Sequence, residues 1–238
     1  MRIEFKCYPE LKGILPEPVP AKRMTPDWLK GMPMTALDPD IGQELPTVKQ
    51  CPPFIDAMTS GFMILLPCDV RFSGGKFSWD WPEFPVDDFF VRSFPGSSPL
   101  AHHHPTQAVN SPFFREGRLF IKFINFWTIK APEGVSLLFT HPFNRGDLPF
   151  LSLTGMVDCD RYHENFVHFP AAWLDDGFDG VLPKGTPVSQ VIPIRRADQD
   201  FDLAIEPMTD TEMDRFFEVH DAVRAQERVY RDVFRSKK

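Results

Sequence analysis

The chain has 238 residues and a mass of 27.4 kDa, enough for one large β domain or two small ones around a real hydrophobic core. Apolar residues at 42% and charged residues at 25% exclude wholesale disorder. A formal net charge of −7 argues against general nucleic-acid binding, because a phosphate backbone demands a clustered positive surface.

Two residue types stand out. Each of the 25 prolines removes a backbone donor, so long helices cannot dominate. Phenylalanine, 24 residues against five Trp and three Tyr, favours strands and a bulky core. The opening Met1-Arg-Ile-Glu-Phe-Lys-Cys7 has no apolar run of signal-peptide length, and no stretch reaches membrane-spanning length. Cys7, Cys51, Cys68 and Cys159 form no C-x-x-C pair. Isolated cysteines of this kind imply free thiols and a cytoplasmic location.

In chain order, residues 2–8 alternate weakly and open as a strand. Prolines then punctuate 9–46 too often for regular structure. Within that stretch Thr25-Pro26-Asp-Trp28-Leu-Lys-Gly31 has an N-cap, a first-turn proline and a glycine stop, which makes a short helix. Residues 1–50 therefore read as a proline-rich arm pinned by Trp28. A second short helix fits 52–60, stopped by Gly61. The apolar run 62–72 reads as a buried strand, and the turn 73–76 leads into an aromatic strand over 76–81, completing a hairpin. Residues 82–117 form a long loop, a length that is often functional. Short strands follow at 119–125, 126–130, 135–140, 150–157, 166–169, 180–182 and 187–194, separated by Gly/Pro turns. This spacing predicts a mainly-β core over 51–207, of barrel or sandwich type, with no βαβ alternation. Thr209-Asp-Thr-Glu212 is a capping box for a final helix of about 25 residues. Met213, Phe216, Phe217, His220 and Val223 share one of its faces, extended loosely by Tyr230 and Phe234. Residues 208–238 thus form a helical unit that docks on its own core or pairs with another subunit.

The densest chemistry lies in Thr154-Gly-Met-Val-Asp158-Cys-Asp160-Arg-Tyr162-His163. Asp158 and Asp160 share a face of an extended segment. Such a pair can hold a divalent metal ion, split its pKa values to make a general base, or cap turn amides. Asn144 and Arg145 sit in a turn just ahead, where an arginine fork serves either a structural ion pair or anion recognition.

Gly155-Met-Val-Asp158 with Tyr162, followed by Gly185-Thr-Pro-Val-Ser-Gln190, resembles the paired motifs of the trimeric dUTPase and dCTP deaminase superfamily, which has a β-clip fold. The resemblance implies that Asp158 activates water, that Gln190 reaches phosphate, that Tyr162 lies under a base, and that the chain is a homo-oligomer. Arg161 is inserted relative to that pattern. Phe139-Thr-His-Pro-Phe-Asn-Arg145 stands where the family has a serine-rich phosphate motif. A wider set of segments is similar to a bacterial and phage family of unknown function. They are Cys51–Met58, Phe77–Trp81, Phe126–Ile129, Leu137–Arg145, Leu153–Asp160 and Leu182–Pro187.

His102 and His104 have the i, i+2 spacing of metal ligands on a strand, with His141, His163 and His168 as distant partners. Gln107 and Ala108 stand where a cupin-like site would place its carboxylate. The aromatics Trp79, Trp81, Phe126 and Trp127 read as core. No G-x-S-x-G, P-loop, H-E-x-x-H or Cys/His nucleophile pattern occurs. The leading expectation is a small-molecule-binding protein with a polar pocket for an anionic or nucleotide-like ligand, built from Asn144, Arg145, Tyr162, Gln190 and the two aspartates. A hydrolase using Asp158 and a metal-dependent oxygenase using His102 and His104 are the alternatives.

Overall fold

The computed structural model describes residues 1–81, 98–226 and 228–236. These form two compact units: Met1–Lys30 with Ala57–Gln199, and Gly31–Asp56 with Asp200–Lys238. The first thirty residues therefore fold with the β-rich body, whereas the rest of the proline-rich stretch groups with the C-terminal segment.

The first unit is mainly β. Its strands are β1 (Glu4–Lys6), β2 (Val19–Pro20), β5 (Phe62–Leu65), β6 (Val70–Ser73), β7 (Lys76–Trp79), β8 (Leu100–His102), β9 (Phe120–Phe123), β10 (Thr128–Lys130), β11 (Val135–Thr140), β12 (Phe150–Ser152), β13 (Gly155–Val157), β14 (Phe169–Trp173), β15 (Gly180–Leu182) and β16 (Pro187–Arg195). They pair antiparallel in sheets of order β13-β11-β16-β5-β2, β12-β14-β9-β8, β15-β6-β7 and β1-β10. None of these sheets closes on itself, so the barrel expectation gives way to several open sheets around one core.

That core follows from strand alternation. Leu137 and Phe139 of β11, Val191 of β16 and Ile64 of β5 meet Ile121 and Phe123 of β9, Phe150 of β12, Phe169 and Trp173 of β14, and Val70 and Phe72 of β6. The phenylalanines join the sheets. Phe139 lies 5.5 Å from Phe169, Phe123 lies 4.7 Å from Phe150, and Phe72 lies 4.9 Å from Trp173, centroid to centroid. Trp81 stacks on Phe126 at 5.1 Å beside Leu11 and Leu15, as expected of core aromatics.

The apolar run 62–72 makes two strands rather than one, because Pro67 has no N–H to donate to a ladder. The 150–157 run likewise divides into β12 and β13 on different sheets. Residues 82–97 of the expected long loop lie outside the described residues, and its remainder contains β8 and a 3-10 turn, Pro105–Ala108. Pro170 sits inside β14, opposite Lys122, where proline discourages a strand assignment from sequence.

The second unit holds the hairpin β3 (Thr35–Asp38) and β4 (Gln43–Pro46), unforeseen in the proline-rich stretch, and the helix α3 (Asp210–Ala225). Two short helices, α1 (Asp27–Gly31) and α2 (Pro52–Thr59), and a π turn at Tyr230–Phe234 also occur among the described residues. The Thr209–Glu212 capping box forms as expected, with the Thr209 N–H donating to Glu212 Oε2 at 2.7 Å and the Glu212 N–H to Thr209 Oγ1 at 3.4 Å. The helix is shorter than the sequence periodicity implied. Among the described residues no helix is long and apolar enough to cross a membrane.

Gly61 is the tightest backbone position. It has φ +68°, its carbonyl accepts from Ala21 N–H at 3.0 Å, and a Cβ there would lie 1.9 Å from the Val191 carbonyl oxygen. Gly61→Ala must therefore distort the β5–β16 pairing. The expected cost is about 2 kcal/mol or more, read as a melting temperature lower by roughly 4–8 °C. An unchanged melting temperature would contradict this packing.

Candidate functional site

The acidic bend after Gly155 is closed by Arg196, just beyond the end of β16. Arg196 Nη1 donates to Asp160 Oδ1 at 3.0 Å and Nη2 donates to Asp160 Oδ2. The Gly134 N–H adds a bond to Asp160 Oδ2 at 2.9 Å. Asp158 Oδ1 accepts from Ser136 Oγ at 2.6 Å and lies 3.3 Å from Arg196 Nη1. The Asp160 side chain is only 5% exposed, whereas that of Asp158 is half exposed. The guanidinium beside it, helped by the Gly134 amide, holds the Asp160 carboxyl well below the usual carboxylate range. Both Asp160 oxygens are thus engaged within the bend. Cys159 between them is buried, and burial together with its two acidic neighbours pushes its thiol up to about 12.

The other expected ligand groups lie elsewhere. Gln190 on β16 is fully buried; its Oε1 accepts from Phe143 N–H at 2.9 Å, and its Nε2 donates to the carbonyls of Ala57 and Ser60 at 2.9 and 2.7 Å. With both amide protons engaged by main chain, it braces the 142–145 turn instead of facing a ligand. Gln190 pairs with Thr140, while Asp158 meets Ser136 and Asp160 meets Gly134. Four residues of β11 thus separate the two halves of the expected pocket, about 13 Å along the strand. Asn144 occupies the left-handed region at φ 58°, and Arg145 forms a bidentate pair with Asp147, with 2.8 Å from both Nε and Nη2. Asp147 also accepts from Trp28 Nε1 at 3.2 Å. Tyr162 is exposed at the end of the acidic bend, where its N–H donates to the Asp158 carbonyl at 2.8 Å.

The histidine loop is likewise organised by its own backbone. His102 and His104 have ring centroids 6.3 Å apart, but His104 Nδ1 lies 2.7 Å from Thr106 Oγ1 and accepts from the Thr106 N–H, capping the 3-10 turn. Among the described residues no group of three or more His, Cys, Asp or Glu side chains could hold a metal ion.

A cavity of about 930 Å³ opens three residues beyond Asp160. The Asp160 carbonyl lies 3.1 Å from His163 Nδ1, so the Arg196 clamp also holds the start of the 163–168 rim. Lys6, Cys7 and Tyr8, Ala101, Lys122 and Ile124, Thr128 and Lys130, and His163 to Phe166 with His168 line the cavity. Alternation explains the set: Phe5, Ile121, Phe123 and Ile129 enter the core, so Lys6, Lys122, Thr128 and Lys130 take the opposite faces. Asn125 fixes the corner between β9 and β10, its Nδ2 donating to the Trp127 carbonyl at 2.8 Å and its Oδ1 accepting from the Trp127 N–H at 3.1 Å. The Asn125 N–H donates to His168 Nδ1 at 3.2 Å, leaving the ring proton on Nε2. Burial, reinforced by Lys122, brings the His168 pKa down to about 4, so the ring is neutral at physiological pH. Tyr8 meets Phe166 edge to face at 6.0 Å. Among the described residues none of the three lysines has a carboxylate within 4.0 Å.

Composition gave no sign of this cavity, because its lysines come singly from three strands. The legible signal was a lysine standing opposite core residues in β1, β9 and β10. No family model, curated protein or solved structure matches the chain, so the site is read from its own chemistry.

Two acid-side effects follow. The depressed Asp160 value stabilises the fold above about pH 4, and that contribution fades as pH falls further. The depressed His168 value favours the fold above its unfolded pKa near 6.5, and this is lost as pH falls from about 6.5 to 4. Asp160→Asn should lower the melting temperature at pH 7, and His168→Gln should flatten its decline between pH 6.5 and 4. Thermal melts across pH 3–8 check both; curves parallel to the parent's would refute them.

Proposed function

We propose that this chain is a small-molecule-binding protein whose ligand is anionic and nucleotide-like, held in the cleft of Lys6, Lys122 and Lys130. The reading is carried by one observation: three lysines that have no carboxylate within 4.0 Å among the described residues line a single cavity on a chain whose overall charge is −7. Lysine is a strongly hydrated point charge that normally finds a counter-charge or bulk water, and three around one hollow raise the local concentration of an anion. The volume falls within the range of small-molecule sites. Tyr8 and Phe166 offer an apolar wall for a planar ring, and His168 Nε2 a neutral donor. Glu164 on the rim disfavours the most highly charged anions. The polar pocket expected at Asn144, Arg145, Tyr162, Gln190 and the two aspartates is thus re-sited to the cleft beyond His163.

Several further readings accompany this one. The strand carrying Gly155-Met-Val and the strand carrying Gln190 flank the same β11, which supports kinship with the dUTPase-like β-clip. Four unpaired cysteines agree with a reducing, cytoplasmic setting. In the hydrolase reading Asp158 activates water on a phosphate-containing substrate; the exposed half of its carboxylate is what favours it.

Calorimetric titration with a nucleoside monophosphate and with inorganic pyrophosphate tests the proposal. Binding should weaken with added salt, and Lys122→Glu should reduce affinity at least about tenfold, the scale of one charge-assisted contact. Asp158→Asn should leave affinity unchanged. No detectable binding of either probe at millimolar concentration, or equal affinity in Lys122→Glu, overturns the cleft assignment. Phosphate release that disappears in Asp158→Asn would favour the hydrolase.

A further inference from the structure

The second unit has no core of its own: among its described residues none is buried. Many of its ties are polar or local. They include the β3–β4 ladder, Thr47 Oγ1 donating to the Pro33 carbonyl at 2.7 Å, and Arg235 bonding both oxygens of Asp56 at 3.0 and 2.6 Å. Yet the unit is rich in apolar groups. In the extended segment before α3, Phe201, Leu203 and Ile205 alternate with Asp202, Ala204 and Glu206 and pair with no strand. On α3, Met213, Phe216, Phe217 and Val223 follow helical spacing, with Phe216 ringed by Phe217 at 5.5 Å and His220 at 5.9 Å. With Met208, these eight side chains are exposed to between 41% and 91%. An aromatic buries 150–250 Å² when covered, so the eight leave roughly 800 Å² of apolar surface, which is one partner's share of a standard protein interface. Monomeric proteins rarely expose that much in one segment.

The charge pattern names the occupant. Residues 200–221 carry Asp200, Asp202, Glu206, Asp210, Glu212, Asp214, Glu218 and Asp221 against Arg215 alone. Residues 222–238 carry Arg224, Arg228, Arg231, Arg235, Lys237 and Lys238 against Glu227 and Asp232. A segment that is acidic in its first half and basic in its second is complementary to itself when reversed. We propose that two copies of the chain associate through residues 200–235 in an antiparallel, two-fold arrangement. The alternating strand segment and the α3 face of one copy then cover those of the other, and each acidic half lies along the other's basic half.

The test uses the full chain, with mass measured by light scattering over a concentration series and the dissociation constant by sedimentation. The chain should run at twice 27.4 kDa. Phe216→Glu with Phe217→Glu should raise the dissociation constant at least about a hundredfold, since each charge must be desolvated in the interface. Circular dichroism and the salt-dependent binding of pyrophosphate in the cleft should stay as in the parent, which separates loss of the interface from loss of fold or of the cleft. One variant with Arg224, Arg228 and Arg231 changed to Glu and another with Asp210, Asp214 and Glu218 changed to Arg should each fail to self-associate. Mixed together, they should form a heterodimer. A monomer at all concentrations up to about 100 μM, an assembly insensitive to the Phe216/Phe217 pair, or charge variants that do not complement each other would overturn the proposal.

Discussion

An arginine just beyond the end of β16 holds the acidic bend of the first unit in place. Arg196 binds Asp160 through both arms of its fork and approaches Asp158, while Gly134 and Ser136 complete the shells of the two carboxylates. The pair joins three places that the chain visits far apart: the turn before β11, the bend after β13 and the end of β16. Its geometry is bidentate and one partner is nearly excluded from water, the circumstances in which an ion pair specifies structure most strongly and is most damaging to break. The bend it closes leads directly to His163, so the clamp also determines where the cleft begins.

The cleft shows how an acidic protein can gather several lysines around one hollow. Overall charge sets the mean field, but a pocket responds to the few charges within a Debye length of it. Lys6, Lys122 and Lys130 reach one hollow because three strands each turn one residue away from the core at that point. Asn125 and His168, both engaged with main chain, stiffen the corner between β9 and β10. His168, neutral beside Lys122, adds no fourth positive charge to the hollow.

Much of the architecture was readable from the amino-acid order. The 135–140 strand appears at those bounds, the capping box at Thr209 forms both of its bonds, and the phenylalanines join the sheets. These features are local, or depend on burial patterns that repeat every second residue. The failures have one source. Pro67 and Pro170 exert opposite effects, since the first breaks a run and the second is tolerated inside a strand, and only the partner across the ladder decides which. Asp158, Asp160, Arg145 and Gln190 are the residues to which the sequence assigns the chemistry. Their side chains are engaged by Arg196, Asp147 and backbone groups, contacts that span up to 133 positions and leave no mark on local spacing.

The sequence by itself determined the mainly-β character, the aromatic core and the self-complementary charge of the C-terminal segment. These are sums over residue types, or short periods along one strand or helix. Tertiary structure alone decided that the acidic bend is a clamp, that Gln190 is a brace, and that three solitary lysines share a cavity. Each of those depends on which strands become neighbours. Strand pairing is chosen by the packing of the whole apolar core, and single positions along the chain carry almost none of that information.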